Sequence, residues 1–239
     1  MARFLILRLD GPMQSWGTHT YEDYRPSNLF PTRSGLVGLL AGCLGIERSD
    51  HASLRSLAQG IDITVRVDQK PWRPEQAENN HHGRKTPLKL TDYHTVLKAR
   101  RANRDPKEGE TIETRREYLF DESFTVAVAE KGDHPYSLDT IAAHLKKPVY
   151  TPFLGRRSCP IAHPLFFDEW LEAVNGKEAL EATPVIGGTI YAESIEVANN
   201  QRLLMRDVPE HRRYRSFATR IVFIHSKSKE VTESVSEPN

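Results

Sequence analysis

The sequence predicts an α+β fold: a ferredoxin-like βαββαβ palm, a long β-hairpin inserted between its two middle strands, and a reduced C-terminal lobe. Two observations carry this prediction. Strand-like and helix-like stretches follow one another in the order strand, helix, strand, strand, helix, strand. In addition, residues 70–122 separate the two middle strands, and connections of that length are usually functional or disordered.

The first half of the palm begins with a strand at 4–9, an apolar run that ends in an Asp-Gly-Pro turn. A helix follows at 34–46, with Ser34 as its predicted N-cap. Three glycines lower the helix propensity of this stretch, so we expect close packing of the helix on a sheet to compensate. These glycines are Gly38, Gly42 and Gly45. A second helix, at 51–59, begins after the N-cap residue Asp50.

The two middle strands lie on either side of the insertion. Residues 61–68 alternate apolar and polar side chains, which predicts a strand with one buried and one exposed face. The remaining expected elements are a strand at 124–128, a helix at 137–147 capped by Ser137, a short strand at 149–154, a helix at 164–174, and strands near 185–198 and 217–224.

The insertion contains strand-like pieces at 93–97 and 111–120, which predict a protruding arm with its tip at 102–110. The chain therefore divides into three parts. They are a palm with the C-terminal lobe (1–69 and 123–225), the arm (70–122), and a polar tail (226–239) that we expect to be disordered.

The composition argues against several classes of protein. The formal net charge is only +1, so the overall charge does not indicate nucleic-acid binding. Cys43 and Cys159 stand in unrelated contexts, which argues against a disulfide framework and against a cysteine zinc site. No apolar run approaches the roughly 20 residues of a membrane span. We therefore expect a cytoplasmic protein that uses no metal, no cofactor and no membrane.

Two segments nevertheless carry a local excess of positive charge. Residues 84–104 hold seven Lys or Arg and one Asp, and residues 202–220 hold six Arg and two acidic residues. Aromatic residues are interleaved in or near both segments, a combination that suits a phosphate backbone and stacked bases. Ordinary solvated surface charge is the alternative interpretation, because such runs are common.

Two loops have the composition of anion-binding sites. In GRRSC (155–159) a glycine lets the backbone approach an anion while two arginines bind phosphate oxygens; a plain turn is the alternative. PTRSG (31–35) starts a helix, where N–H groups favour an anion, although simple capping explains it as well. In the first turn, Trp16 either stacks on a base or fills a cleft.

One group of residues suggests catalysis. His94, with Tyr93 and Lys98, offers an acid, a base and a cation for RNA cleavage without a metal, with a ribose 2′-hydroxyl as the nucleophile. A histidine in an alternating strand is more often an ordinary hydrogen-bonding residue. Both interpretations stay open on the residues alone.

Five motifs, in order along most of residues 1–225, resemble the fifth CRISPR-associated protein family, one of the RAMP proteins, as it occurs in the subtype I-E Cascade complex. The motifs are LRLDGPMQSWG (7–17), FPTRSGLVGLLAGCLGI (30–46), DYHTVL (92–97), ETRREYLFDESFTVAV (113–128) and TPFLGRRSCPIAHPLF (151–166).

The resemblance implies a non-catalytic, RNA-binding subunit of a CRISPR surveillance complex in antiviral defence. Such a subunit holds the 5′ handle of the crRNA and caps the backbone filament, with a ferredoxin-like palm and a thumb that corresponds to the arm here. The implied partners are the crRNA handle, the adjacent backbone subunit, the large Cascade subunit and, indirectly, target DNA. Another subunit processes the precursor RNA in this subtype. Subtype I-C relatives cleave their repeats, so a metal-independent endoribonuclease stays as the alternative.

The matched motifs imply RNA contacts in the first turn, at the helix start, on the arm and in the Gly-led loop. The implied residues are Ser15, Trp16, Gly17, Arg25, Thr32, Ser34, Tyr93, His94, Arg115, Arg116, Tyr118, Gly155, Arg156 and Arg157. The charge of the arm tip adds Arg100, Arg101 and Arg104.

Overall fold

The computed structural model describes residues 1–68, 88–98, 110–132, 134–184, 188–194, 201–211 and 216–225. Its elements in chain order are β1 (Ala2–Asp10), β2 (Met13–Gln14), β3 (Trp16–Gly17), β4 (Tyr24–Arg25), β5 (Ser27–Asn28), α1 (Arg33–Leu44), α2 (His51–Gly60), β6 (Ile61–Val67), β7 (Leu88–Leu97), β8 (Thr111–Phe120), β9 (Ser123–Glu130), α3 (Leu138–Lys146), β10 (Phe166–Ala173), α4 (Gly176–Glu181), β11 (Ile190–Ala192), β12 (Gln201–His211) and β13 (Ser216–His225). Within these ranges no helix is long and apolar enough to cross a membrane.

A seven-stranded antiparallel sheet forms the body of the molecule, in the order β10-β1-β9-β6-β11-β13-β12. β6 pairs with β9 from Ile61 opposite Glu130 to Val67 opposite Phe124, so the expected middle strands are direct neighbours. β7 and β8 lie between them in sequence and form the expected hairpin, in a second sheet with β2 and β4. β12 lies in a stretch where the sequence pattern predicts no strand.

Both faces of the main sheet are covered. Alternate residues of a strand point to opposite faces. In β1, Leu5 and Leu7 enter the large apolar core with α1, α2 and α3. Phe4 and Ile6 enter a smaller cluster on the other face, together with residues of α4.

The second face of β6 is buried, so the expectation that residues 61–68 expose one face is wrong. α4 covers this face, and the polar residues on it bind one another. Arg66 donates through Nε to Asp68 Oδ1 at 2.7 Å, and the Thr125 hydroxyl donates to Asp68 Oδ2 at 2.7 Å. Burial raises the pKa of Asp68, although the bonds from Arg66 and Thr125 oppose that shift.

The helix expected at 164–174 is also wrong, because this segment forms the edge strand β10. It pairs antiparallel with β1, from Ala2 opposite Ala173 to Leu7 opposite Phe166. The apolar residues of the segment fit a helical and a strand pattern alike, and the open edge of β1 decides between them.

Residues 149–154 form no strand, contrary to expectation. The N–H groups of Val149 and Tyr150 donate to the carbonyls of Cys43 and Gly42 at 3.0 and 3.2 Å. The last carbonyls of α1 have no partner inside the helix, so this segment caps the helix instead of extending a sheet.

The helix caps follow the sequence with one shift. Asp50 caps α2 and Ser137 caps α3, as predicted. α1 begins after Thr32, whose hydroxyl accepts a hydrogen bond from Gly35 N at 3.3 Å. The predicted cap, Ser34, therefore lies inside the first turn of the helix.

The glycines of α1 do not share one explanation, contrary to the expectation that close packing compensates for all of them. A Cβ at Gly35 would lie 2.8 Å from the ring of Trp16. Gly45 ends the helix in the left-handed conformation, with φ of +78°. At Gly38 and Gly42 a Cβ would meet no atom within 4 Å.

Gly38→Ala is therefore expected to raise the free energy of unfolding by about 0.5–1 kcal/mol, because alanine loses less backbone entropy in a helix and meets no obstacle here. Gly35→Ala on the same helix is the matched control. It is expected to destabilise the protein, because its methyl group must displace the ring of Trp16. Urea denaturation followed by circular dichroism measures both variants, and shifts of the same sign would contradict the packing argument.

Candidate nucleic-acid interface

The arm has two chemically different faces. β7 and β8 pair from Leu88 opposite Phe120 to Leu97 opposite Thr111, so each even-numbered residue faces an even-numbered one. Directly opposite residues share a face and adjacent residues do not. The arm residues expected to contact RNA are therefore divided between the two faces.

The odd-numbered face is balanced by acidic groups, and we call it the salt-bridged face: Lys89, Tyr93, Glu113, Arg115 and Glu117. Lys89 Nζ lies 2.8 Å from Glu117 Oε2. Arg115 Nη1 lies 2.8 Å from Asp23 Oδ2. The hydrogen bond to the side chain of Glu113 raises the pKa of Tyr93. The cations of this face are already neutralised within the chain.

Glu117 connects the arm to residues 24–27 through hydrogen bonds. It accepts hydrogen bonds from the Tyr24 hydroxyl, from Lys89, and from Ser27 N at 3.0 Å. Burial alone would raise the pKa of Glu117, but the bonds from Lys89 and Tyr24 outweigh it and lower the pKa. The bond to Glu117 in turn raises the pKa of Tyr24. The carboxylate therefore stays ionised and holds β4 against the arm.

The even-numbered face carries an excess of positive charge, with three arginines against one carboxylate, Asp92, which lies directly opposite Arg116. We call it the basic face: Arg25, Asp92, His94, Arg116, Tyr118 and Arg156. β4 runs parallel to β8 with Arg25 in register with Arg116. The guanidinium carbon of Arg156 lies 4.8 Å from the centroid of the Tyr118 ring. Counting only the part of the chain that the structure describes, none of these three arginines forms an ion pair with a carboxylate. This face is the candidate site for an anionic ligand.

The Gly-led loop is locked against the first turn. Gly155 has a φ of +88°, and a Cβ there would lie 1.8 Å from the carbonyl oxygen of Ser15. Ser15 N donates to Leu154 O at 3.0 Å, and its hydroxyl donates to Glu117 O at 2.9 Å. The first turn, the loop and the arm therefore meet at Ser15, and the loop directs Arg156 onto Tyr118.

Arg156 has a donor that the protein leaves unsatisfied. Its Nη2 donates to Arg25 O at 3.0 Å, whereas its Nη1 is buried with no hydrogen-bond acceptor. A buried donor without an acceptor costs about 1–3 kcal/mol. An acceptor on a ligand would remove this cost, which makes Arg156 a candidate ligand group of the basic face.

Three of the expected contact residues build the scaffold behind the interface. Trp16 is fully buried, with Nε1 donating to Gln14 Oε1 at 3.0 Å, so its ring fills the core and is not available to stack on a base. Thr32 is buried as the cap of α1, and Ser34 is half-buried in its first turn.

The anion site expected at the start of α1 is occupied by the chain itself. Asp207 Oδ2 accepts a hydrogen bond from Arg33 N at 2.7 Å, and the Thr32 hydroxyl accepts from Gly35 N. The capping interpretation of PTRSG is therefore correct.

The remaining expected residues are either exposed or outside the described residues. Gly17 and Arg157 are exposed. Arg100, Arg101 and Arg104 lie outside the described residues, as does the expected arm tip at 102–110. Across the described ranges, no three His, Cys, Asp or Glu side chains come together as a metal site.

Comparison with known proteins identifies the family of this chain. The model of the CRISPR-associated protein family Cas5 matches residues 4–223. The chain belongs to the Cas5 family. The resemblance seen in the five sequence motifs is thereby confirmed.

Relatives of this Cas5 chain include proteins of CRISPR complexes. It is 41% identical over 233 residues to the CRISPR system Cascade subunit CasD of Escherichia coli K12, covering 98% of this chain and 100% of that one. A solved chain described as part of a CRISPR RNA-guided surveillance complex has a TM-score of 0.69 and 30% identity, over 93% of this chain and 89% of that one. A chain described as a Cas protein has a TM-score of 0.62 and 27% identity, over 93% of both chains.

The Cas5 chain also contains a buried ionic cluster that the sequence analysis missed. Arg33 Nη1 lies 2.6 Å from Glu193 Oε2, and Arg220 Nη1 lies 2.9 Å from Glu193 Oε1. Arg220 also binds both oxygens of Asp207, at 2.6 and 2.8 Å. Arg220 is one of the six arginines of 202–220, and it points inward.

The arm of this Cas5 protein separates the residues of the catalytic hypothesis. Tyr93 and His94 are adjacent in β7, so their side chains lie on opposite faces. His94 Nδ1 lies 3.9 Å from an Asp92 carboxylate oxygen on its own face. Tyr93 and His94 cannot act together on one phosphate in this geometry, which weighs against their use as an acid–base pair.

Proposed function

We propose that this Cas5 protein is an RNA-binding subunit of a Cascade surveillance complex and holds the 5′ handle of the crRNA on its basic face. The observation that carries the proposal is the arrangement of Arg25, Arg116 and Arg156, which lie together without carboxylate partners among the described residues. A phosphate backbone supplies the missing negative charge, and Arg forms charge-assisted hydrogen bonds with phosphate oxygens. The full-length similarity to a Cascade subunit supports this choice of ligand.

The sheet order β10-β1-β9-β6, with α1 and α3 as connections, supports a ferredoxin-like palm at 1–69 and 123–225, and the pairing of β7 with β8 supports a thumb at 70–122. The subunit acts in the cytoplasm, caps the backbone filament, and contacts the adjacent backbone subunit, the large subunit and, indirectly, target DNA. It binds RNA without cleaving it.

Neighbouring arginines on the two faces of the arm test the proposal. Arg116→Ala is expected to weaken binding of a synthetic 5′-handle RNA about tenfold, because it removes a charge-assisted contact. The slope of log affinity against log salt concentration is expected to fall by about 0.7, the value for one phosphate of a single strand. Arg115→Ala is the matched control, since Asp23 already binds that side chain. Its affinity is expected to stay within about twofold of the wild type.

Fluorescence anisotropy over a salt series measures both quantities. Equal effects of Arg115→Ala and Arg116→Ala would show that the RNA does not select the basic face. The same protein incubated with repeat RNA in EDTA is expected to leave the RNA intact. Discrete cleavage that disappears in His94→Ala would instead establish the endoribonuclease.

A further inference from the structure

Three large apolar side chains are exposed at one end of the basic face. Leu88, Leu90 and Phe120 have exposed fractions of 40%, 47% and 44%. Leu88 is directly opposite Phe120, and Leu90 is directly opposite Tyr118. All of them are even-numbered, so they share the face that carries Arg116. We call Leu88, Leu90 and Phe120 the apolar patch.

The apolar patch adjoins Arg156, whose Nη1 has no hydrogen-bond acceptor. Tyr118 is covered by the guanidinium of Arg156, while its cross-strand neighbour Leu90 stays open to solvent. A guanidinium group and an exposed apolar side chain, those of Arg156 and Leu90, therefore lie on the two sides of one cross-strand pair. A ligand that fits both parts has an anionic group beside a flat apolar surface, and a nucleotide has this combination in its phosphate and base.

The dimensions of the patch fit a single base. Opposite side chains on a β-ladder are about 5 Å apart, and alternate residues of one strand about 7 Å apart. Three side chains at this spacing form a surface on the scale of one nucleobase, far smaller than a stable protein–protein interface.

We propose that the apolar patch holds one unstacked base of the bound RNA, with the phosphate of that nucleotide directed to Arg156. This inference rests on the proposed function, since it places a specific part of the handle on the basic face. The side chains of Leu88, Leu90 and Phe120 have no hydrogen-bonding groups, so the patch accepts any base and does not read its identity. Contacts to the flat face of a base are tolerant of sequence in this way.

The test combines a protein change with an RNA change. Leu90→Ala and Phe120→Ala each remove part of the patch and leave the charges in place. Leu97→Ala is the matched control, because Leu97 is 64% exposed on the opposite face of the same hairpin. The RNA probes are the synthetic handle and a series in which one base at a time is replaced by an abasic site.

Leu90→Ala and Phe120→Ala are each expected to weaken binding of the intact handle five- to tenfold, and Leu97→Ala less than twofold. One abasic position is expected to cause a similar loss, and to cause no additional loss in Leu90→Ala. Exchange of the base at that position for another base is expected to change affinity less than threefold. This shared loss at a single position identifies the base on the patch.

Two results overturn the inference. One is an RNA affinity of Leu90→Ala that equals that of the wild type. If this variant also fails to associate with other Cascade subunits, the patch binds a protein and not a base. The other is full additivity: at every position of the RNA, the abasic site and Leu90→Ala weaken binding independently of each other. If Arg116→Ala still weakens binding in these cases, only the base site is rejected. If Arg116→Ala also binds normally, the proposed function is rejected with it.

Discussion

Asp207→Ala is expected to lower the free energy of unfolding by about 3–5 kcal/mol, the usual cost of removing one partner from a buried ion pair. Asp207 is only 4% exposed. It binds Arg220 through both oxygens and also accepts the first N–H of α1 from Arg33. Alanine leaves two buried guanidinium groups with Glu193 as their remaining acidic partner in the cluster, and it removes the acceptor from a helix N-terminus.

The pKa of Arg220 shows why the carboxylate is needed. Burial alone would lower the pKa of Arg220, but the bonds and charges of Asp207 and Glu193 raise it. Because a guanidinium stays protonated inside proteins, the charge of Arg220 persists after Asp207 is removed, and its desolvation is then less well compensated.

Asp23→Ala is the matched control for Asp207→Ala. Asp23 also forms an ion pair, with Arg115, but its side chain is 42% exposed. Exposed pairs contribute about 0–1 kcal/mol, so this variant is expected to stay close to the wild type. Urea denaturation measures both, and similar losses in the two variants would show that burial does not set the cost.

Gly155→Ala is expected to destabilise the protein by at least about 2 kcal/mol and to weaken handle binding at least about tenfold. A side chain at a φ of +88° is strained, and the new Cβ would lie 1.8 Å from Ser15 O. That oxygen belongs to the backbone of a turn that is bonded to the arm, so the loop must move. The movement displaces Arg156 from Tyr118, which links the stability loss to the RNA loss.

Gly17→Ala serves as the control for this variant. Gly17 follows the same first turn, is exposed, and has no atom within 4 Å of a would-be Cβ. Its stability and RNA affinity are expected to match the wild type. Urea denaturation measures the stability of both variants, and fluorescence anisotropy measures their RNA affinity. Full RNA affinity in a folded Gly155→Ala would show that the loop does not contribute to RNA binding.

Elements defined by neighbouring residues were predictable from the sequence. The caps Asp50 and Ser137 are correct because a cap is a hydrogen bond within one turn, between residues three apart. The central strands β6 and β9 are correct because their apolar residues alternate over several positions. The arm hairpin is correct because its two strand-like pieces, 93–97 and 111–120, lie on either side of a turn-rich sequence and fall within β7 and β8.

Elements defined by distant partners were not predictable. Residues 164–174 have an ambiguous pattern, and pairing with β1 makes them a strand. Residues 149–154 are apolar enough for a strand, but the carbonyls at the end of α1 bind their backbone. In both cases the deciding hydrogen bonds come from residues more than 100 positions away.

The candidate site shows the same division. The residue types of an RNA-binding surface, and the family motifs that contain them, are properties of the sequence alone. Only the register of β7 against β8 puts Arg116 on the face where it forms no ion pair with a described carboxylate, although Asp92 lies opposite, and Arg115 on the face where Asp23 neutralises it. Likewise, only tertiary packing turns Arg220 inward and buries Trp16. The physical reason is that charge and shape are inherited from each residue, whereas exposure and pairing depend on which distant segment lies opposite.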